Sequence, residues 1–256
     1  MRSLVRILLQ VAVMIAALLL SEPASFSIQD AKVQYFSGRW ELFTRKSLLA
    51  VTKGSCLISQ DQELLITCFG NGSSEDQYLV GDWDGDGKDQ LAVRRSNLIL
   101  FQACERGRCP KQEYFGTPDD HEYVAGDWDG DGKDQLAVIR SSLAFFERCN
   151  GKLCPHEETL TFAGKPDQVL AGDWDGDGKD QLVVRAGNRF FFDHCDGKRC
   201  LQDTTFGGGN SEDEYLAGDW DGDGIDQLAV RRSNVIVFQG CDDRNCPSSV
   251  VFGPKD

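Results

Sequence analysis

Four times this chain contains the stretch Gly81-Asp82-Trp83-Asp84-Gly85-Asp86-Gly87-Lys88-Asp89-Gln90-Leu91-Ala92-Val93 with almost no change. The later copies begin at Gly126, Gly172 and Gly218, at intervals of 45, 46 and 46 residues. Only two positions vary, at Val183 in the third copy and at Ile225 in the fourth. A fixed period of this length is typical of stacked units that are each too small to bury an apolar face alone.

The acidic residues of the stretch have the spacing of a calcium-binding loop. Asp82, Asp84 and Asp86 lie at positions 1, 3 and 5 of the loop, and their carboxylates repel one another by about 1 kcal/mol per close pair even in water. A glycine follows at position 6 and the backbone carbonyl of Lys88 lies at position 7, as in loops that surround Ca²⁺ with about six to eight oxygens. Position 12 is Val93 within a strand-like run, so this is not an EF-hand. The alternative is a simple hairpin turn, which an Asp-Gly pair between apolar runs also favours.

These loops resemble the FG-GAP or VCBS type of repeat, which is found in the β-propellers of integrin alpha chains and in many secreted proteins. The resemblance implies one propeller blade per repeat, a loop between the first and second strands, and up to four calcium ions. This chain differs at position 9, where the family usually carries an acidic ligand and this chain has glutamine, so we expect weak affinity. The expected ligands are Asp82, Asp84, Asp86, Lys88, Gln90, Asp127, Asp129, Asp131, Lys133, Gln135, Asp173, Asp175, Asp177, Lys179, Gln181, Asp219, Asp221, Asp223, Ile225 and Gln227.

A fifth, degenerate copy precedes the four repeats. Residues 35–40 match residues 215–220, but Arg39 replaces the first aspartate and six loop residues are missing. Each repeat contains four short strand-like runs, at 78–83, 90–95, 97–103 and 112–115 in the second repeat, and no run has helical periodicity. The sequence therefore predicts an all-β, five-bladed β-propeller in which blade 5 packs on blade 1 to close the ring. The predicted blades are residues 33–76, 77–121, 122–167, 168–213 and 214–256 of a single domain over 26–256.

The N-terminal residues have the pattern of a secretory signal. Arg2 and Arg6 precede an apolar run over residues 7–20, and small residues follow at Ser21 and Ala24. We predict a signal peptide over residues 1–25, with a retained membrane anchor as the alternative. The mature chain is therefore expected to be secreted or extracytoplasmic.

The acidic charge of the chain is concentrated in the loops. The net charge is −14, and sixteen of the 41 acidic residues lie in the four repeated loops. Four bound divalent ions would add eight positive charges and leave about −6. An acidic chain without a basic stripe argues against nucleic acid or an anionic membrane surface as partner. We expect a monomer whose mature chain does not insert into a membrane.

The ten cysteines fall into five neighbouring pairs. Four pairs have the same spacing in four successive repeats, so a zinc site joining two of them would have to bridge blades. In an exported chain this pattern predicts one disulfide per repeat. The predicted pairs are Cys56 with Cys68, Cys104 with Cys109, Cys149 with Cys154, Cys195 with Cys200, and Cys241 with Cys246.

Two further residue types recur at fixed repeat positions. The five tryptophans, such as Trp83, either pack between blades or stack on sugar rings. Arginines recur around the turn between the second and third strands, on the face opposite the metal loops, next to links that vary between repeats. They are either solvated turn residues or part of a recognition surface. The candidates are Arg45, Arg94, Arg140, Arg185 and Arg231.

These features favour a non-catalytic recognition or adhesion module. Its ligand is expected to be a protein or, as for a lectin, a glycan. No acid/base pair or nucleophile departs from the repeat pattern, and the three histidines share no repeat position. The alternatives are a hydrolase or lyase on a propeller scaffold and a structural subunit of a surface assembly.

Overall fold

The computed structural model describes residues 34–39, 47–53, 55–59, 65–73, 75–102, 111–120, 122–147, 157–160, 165–193, 203–241 and 244–253. These residues form twenty strands and contain no helix. The strands make five antiparallel four-stranded sheets, and each sheet uses four strands that are consecutive in the chain. The sheets are the five blades of a β-propeller, as the repeat predicted.

The blades have the following strands. Blade 1 contains β1 (Tyr35–Gly38), β2 (Leu48–Lys53), β3 (Cys56–Ser59) and β4 (Leu65–Cys68). Blade 2 contains β5 (Gln77–Gly81), β6 (Gln90–Arg95), β7 (Leu98–Phe101) and β8 (Gln112–Tyr114). Blade 3 contains β9 (Glu122–Gly126), β10 (Gln135–Arg140), β11 (Leu143–Phe146) and β12 (Glu157–Thr159). Blade 4 contains β13 (Gln168–Gly172), β14 (Gln181–Ala186), β15 (Arg189–Phe192) and β16 (Thr204–Thr205). Blade 5 contains β17 (Glu214–Gly218), β18 (Gln227–Arg232), β19 (Val235–Phe238) and β20 (Ser249–Val251).

The first strand of each blade is the innermost one. The strands β1, β5, β9, β13 and β17 contact one another around the ring and surround a central cavity of about 660 Å³. The second strand is buried on both faces, since a neighbouring blade covers each face. In β6, Leu91, Ala92 and Val93 are all fully buried. This position explains why the second strand reads as a continuous apolar run instead of an alternating one.

Tryptophan holds neighbouring blades together. Trp83 shares an apolar cluster with Phe101 of its own blade and with Tyr123 and Leu136 of blade 3. Its ring meets Phe101 edge-on at 5.1 Å between centroids. Four tryptophans are 2–5 % exposed, so they cannot stack on a sugar, and packing between blades is confirmed for them; Trp40 lies outside the described residues. These four are Trp83, Trp128, Trp174 and Trp220.

Blade 5 packs directly on blade 1, which confirms closure without an exchanged strand. Leu49 and Val51 of blade 1 share a core cluster with Trp220 of blade 5. At the inner edge, the backbone N–H of Ser47 donates to the carbonyl of Asp219 at 2.8 Å. The ring is therefore held by the same kinds of contact at this junction as at the others.

The first strand of blade 2 differs from the prediction at its end. It was predicted to reach Trp83, but β5 ends at Gly81 and Trp83 lies in the loop. The third strand of blade 2 is also shorter than predicted, since β7 covers Leu98–Phe101 within the predicted run 97–103, whereas β6 has the predicted bounds 90–95. Ser96 begins the turn after β6 with a positive φ of 59°, a value that reverses the chain sharply.

Candidate metal centres

Each repeated loop brings three carboxylates together. One oxygen from each of the aspartates at positions 1, 3 and 5 lies within 4.8 Å of the others. This donor set consists of hard oxygens alone, which fits a hard divalent cation such as Ca²⁺. The four groups are Asp82 with Asp84 and Asp86, Asp127 with Asp129 and Asp131, Asp173 with Asp175 and Asp177, and Asp219 with Asp221 and Asp223.

The aspartate at position 1 organises its loop. Both carboxylate oxygens of Asp82 accept backbone N–H donors, from Gly85 at 2.7 Å, Asp86 at 3.1 Å and Gly87 at 2.7 Å. Gly87 has a φ of +84°, which a residue with a side chain adopts only with strain. The same three donors serve the first aspartate in the other three loops. The loop geometry is therefore built by the chain itself, with the side chains of positions 3 and 5 directed beside the first.

Electrostatics in the loops favours a cation. Burial raises the pKa of Asp82 above its ordinary value, and the charge of Asp86 adds to the shift, although the backbone donors oppose it. The first aspartate of each other loop has a pKa raised for the same leading reason. A bound dication would favour the ionised carboxylates that repel one another here.

Glutamine at position 9 is close to the loop but presents its amide nitrogen. The Gln90 Oε1 atom accepts the backbone N–H of Trp83 at 3.0 Å, which fixes the orientation of the amide. Its Nε2 atom donates to the carbonyl of Lys88, the position-7 oxygen. The same pair of bonds recurs in every loop. In each loop the glutamine oxygen accepts the backbone N–H of the loop tryptophan, and the ligand role of Gln90, Gln135, Gln181 and Gln227 stays a prediction.

The aspartate at position 8 joins each loop to the preceding blade, a role that we did not predict. The Asp134 carboxylate accepts the backbone N–H of Asp82 at 2.9 Å, and the Asp134 N–H donates to the Asp82 carbonyl at 2.9 Å. A side chain on Gly81 would place its Cβ 2.7 Å from the Asp134 carboxylate, so only glycine fits before the first loop aspartate. The Gly-Asp pair that begins all four copies of the repeat was the signal in the sequence that could have indicated this contact. Equivalent bonds join Asp127 to Asp180, Asp173 to Asp226, Arg39 to Asp89 and Asp219 to Ser47.

These position-8 aspartates form an acidic ring around one end of the central cavity. These side chains line the cavity and are half-buried. Burial is the largest cause that raises the pKa of Asp134 to about 8 and of Asp89, Asp180 and Asp226 to about 7, and neighbouring aspartates add to it. Arg39, in the blade without a metal loop, acts on this ring. Burial lowers the pKa of Arg39, but the carboxylates raise it overall, with Asp89 contributing most.

The arginines of the opposite face are mostly buried. Arg94 is 8 % exposed; its guanidinium donates to Gln77 at 3.0 Å and lies 4.3 Å from the ring centroid of Tyr123 in the next blade. Arg185 stacks on Tyr215 in the same way, at 4.6 Å, and Arg231 pairs with Glu214 at 3.1 Å. Three of the predicted recognition arginines are therefore occupied within the protein. Arg45 lies outside the described residues.

Arg140 reaches the surface as part of an ion pair that the sequence analysis missed. It is 39 % exposed and binds both carboxylate oxygens of Asp120, at 2.6 and 2.7 Å. The Arg140 hydrogen bond is the main reason why the pKa of Asp120 falls to about 2. The pairs Asp76–Arg95 and Asp213–Arg232 are equivalent. These pairs fasten the link between blades to the turn after the second strand.

Two of the five predicted disulfides lie within the described residues, and both are present. Cys56 pairs with Cys68, and Cys241 pairs with Cys246. The other three predicted pairs lie outside the described residues and remain predictions. They are Cys104 with Cys109, Cys149 with Cys154, and Cys195 with Cys200.

Across the described part of the chain there is no helix with the length and hydropathy required to cross a bilayer. The predicted signal peptide, residues 1–25, lies outside the described residues.

No family model and no curated protein matches this chain. Among solved structures, it is similar to an Agrocybe aegerita lectin that recognises non-reducing terminal N-acetylglucosamine, at 12 % identity and a TM-score of 0.47. The match covers 86 % of this chain and 66 % of the lectin. Two structures of BBS1N in complex with ARL6DN, soaked with lead or mercury, are 14 % and 15 % identical, with a TM-score of 0.39. They match over 80 % of this chain and over 64 % and 63 % of theirs. The chain thus spans less than two thirds of each of these structures, and the likeness concerns the fold alone.

Proposed function

We propose that this protein is an exported, calcium-stabilised β-propeller that acts as a non-catalytic recognition module for a protein or glycan. The observation that carries the metal part of the proposal is the recurrence of one Asp triplet, with oxygens within 4.8 Å, in all four complete loops. A purely structural turn needs one such aspartate, whereas these loops keep three each.

The donor set favours calcium over other divalent ions. Each loop offers three carboxylates and the carbonyl at position 7, and water can complete a shell of about six to eight oxygens. Magnesium requires a stricter octahedron and keeps more of its water, and zinc prefers nitrogen and sulfur ligands. In the absence of a charged residue at position 9, we expect a dissociation constant of about 0.1–1 mM, in the range of extracellular modules.

The ligand surface that we propose is the face opposite the metal loops. There the links between blades, residues 71–77, 117–122, 165–168 and 208–214, differ in sequence and length. The ion pairs of Asp76, Asp120 and Asp213 hold three of these links against the blades. Variable segments on a rigid scaffold are where recognition residues are usually found. Since Arg94, Arg185 and Arg231 are buried, exposed side chains of the links supply the contacts, with Arg140 at the edge.

Export is part of the proposal. The predicted signal peptide and the disulfides both suit an oxidising compartment, where free calcium is also about millimolar. Expression in a secreting host followed by N-terminal sequencing of the medium protein tests this; a product that remains inside the cell with residues 1–25 attached contradicts it.

Calorimetric titration with calcium tests the metal site. We expect up to four ions for the wild type and none for the variant that carries Asp84→Ala, Asp129→Ala, Asp175→Ala and Asp221→Ala. Absence of wild-type binding at millimolar calcium would contradict the proposal.

A glycan array, probed with and without calcium, then tests the recognition role. Calcium-dependent retention on one class of glycan supports it; retention on none leaves protein-ligand capture as the deciding assay.

A further inference from the structure

The four metal loops are joined to one another by hydrogen bonds. Each junction uses two bonds between position 8 of one loop and position 1 of the preceding loop. Between loops 2 and 3, Asp134 and Asp82 exchange bonds of 2.9 and 2.9 Å. Between loops 3 and 4, the Asp180–Asp127 bonds are 2.9 and 2.9 Å, and between loops 4 and 5 the Asp226–Asp173 bonds are 3.0 and 2.8 Å. Loops here carry the number of their blade.

Side-chain packing joins the same loops a second time. A Cβ added to Gly85, at loop position 4, would lie 2.9 Å from Cγ of Lys133, at position 7 of the next loop, so the Lys133 side chain packs close to the Gly85 backbone. The corresponding distances are 3.1 Å from Gly130 to Lys179 and 3.0 Å from Gly176 to Ile225. Position 7 supplies a candidate carbonyl ligand and position 4 lies between two ligand aspartates. The segment that presents ligands in one loop therefore packs against the segment that presents them in the next.

We propose that the four loops bind their cations as one coupled row, with affinity rising as the row fills. This inference rests on the proposed calcium function. The first ion orders the loop that it binds, and the two bonds and the packing contact also order part of the next loop, so the second ion has less ordering to cause. Linked sites commonly differ by about 5-fold or more in affinity, and we expect at least that rise between the first and last ion.

The row has two ends in blade 1. Asp89 of loop 2 makes the same carboxylate bond, at 2.6 Å, but to the N–H of Arg39, where no metal loop exists. At the other end, Asp219 of loop 5 is held by Ser47, at 3.1 Å. Asp89 and Asp180 thus occupy the same loop position, but only Asp180 joins two metal loops.

The test compares two chemically identical substitutions by calcium titration against a chromophoric chelator. Asp180→Ala removes the carboxylate bond of the junction between loops 3 and 4 and keeps its backbone bond, whereas Asp89→Ala removes the equivalent carboxylate bond to Arg39. We expect a Hill coefficient clearly above 1 for the wild type and for Asp89→Ala, and a lower value for Asp180→Ala. Asp180→Asn keeps an acceptor for the Asp127 N–H and is expected to recover most of the wild-type value. If Asp180→Ala does not fold, Asp134→Ala takes its place.

The outcomes separate this inference from the proposed function. Calcium binding with four independent sites, or with affinity that falls as sites fill, overturns the coupling and leaves the calcium function intact. Equal Hill coefficients for Asp180→Ala and Asp89→Ala also overturn it. No binding by the wild type removes the calcium function itself.

Discussion

The Asp134 carboxylate in blade 3 accepts the backbone N–H of Asp82 in blade 2, with 2.9 Å between the two atoms. The contact is possible because Gly81 has no side chain to occupy the space. One repeat residue thereby fixes both the inner edge of the neighbouring blade and the first candidate ligand of its acidic loop.

The Gly81 position allows a test of this contact. Gly81→Ala would bring a methyl group within 2.7 Å of the Asp134 carboxylate. We expect the variant to lose about 1–3 kcal/mol of unfolding free energy, as overpacked sites do, measured by chemical denaturation. In an Asp134→Ala background the same change should cost less, since the 2.7 Å contact with the carboxylate is gone and the contacts at 3.0 Å with the Cβ of residue 134 and at 3.1 Å with Trp83 remain. Equal costs in the two backgrounds would show that the clash is elsewhere.

The tryptophans between blades should be among the most costly residues to remove. Trp128→Ala is expected to lower the unfolding free energy by about 3–5 kcal/mol, because it empties a buried cluster. Tyr114 is the matched control: it is an aromatic residue that is 70 % exposed, and Tyr114→Ala should cost less than about 0.5 kcal/mol. Similar losses for the two variants would contradict the placement of Trp128.

The ion pair of Asp120 predicts a loss of stability in acid. Its pKa of about 2 in the folded protein, lowered by Arg140, is below the ordinary value of 3.8. The contribution is therefore fully present above pH ~4 and is lost as the pH falls through about 2. Asp120→Asn should remove this part of the pH dependence and cost about 1 kcal/mol at neutral pH, since Arg140 is partly exposed.

Thermal unfolding between pH 2 and 7 checks this prediction. Asp167→Asn is the control, because Asp167 meets the backbone N–H of Gly187, at 2.7 Å, instead of an arginine. If the stability of Asp120→Asn fell more steeply with decreasing pH than that of the wild type, the assigned ion pair would be contradicted.

The repeat made the fold predictable from the sequence. The contacts between repeats could not be predicted in this way. The Asp82 spacing, the position of Trp83 and the turn between the second and third strands are local patterns. They predicted the blades and the clustering of the loop carboxylates, but among the strands of blade 2 only β6 has the predicted bounds. Arg94 looked like a solvated turn residue or a ligand contact, because its partner Tyr123 comes from the next blade. Partners of this kind depend on how neighbouring blades pack, and the sequence around Arg94 contains no sign of them.

The disulfide pattern predicts only links within repeats. Replacing Cys241 and Cys246 by serine should lower the unfolding free energy by about 2 kcal/mol, because the closed loop is short. A link between two repeats would contradict the assignment. Peptide mapping without reduction should recover all five pairs, which are Cys56 with Cys68, Cys104 with Cys109, Cys149 with Cys154, Cys195 with Cys200, and Cys241 with Cys246.

Calcium-dependent melting tests the central claim most directly. With a dissociation constant of ~0.1–1 mM and about 1 mM free calcium, each site adds about 0.4–1.4 kcal/mol by mass action. Four sites then add roughly 2–6 kcal/mol, a large part of the stability of a typical domain. The account predicts that a chelator lowers the melting temperature of the wild type clearly and does not change that of the quadruple variant at Asp84, Asp129, Asp175 and Asp221. A wild-type melting curve that is the same with calcium and with chelator would contradict it, and the loops would then be turns alone.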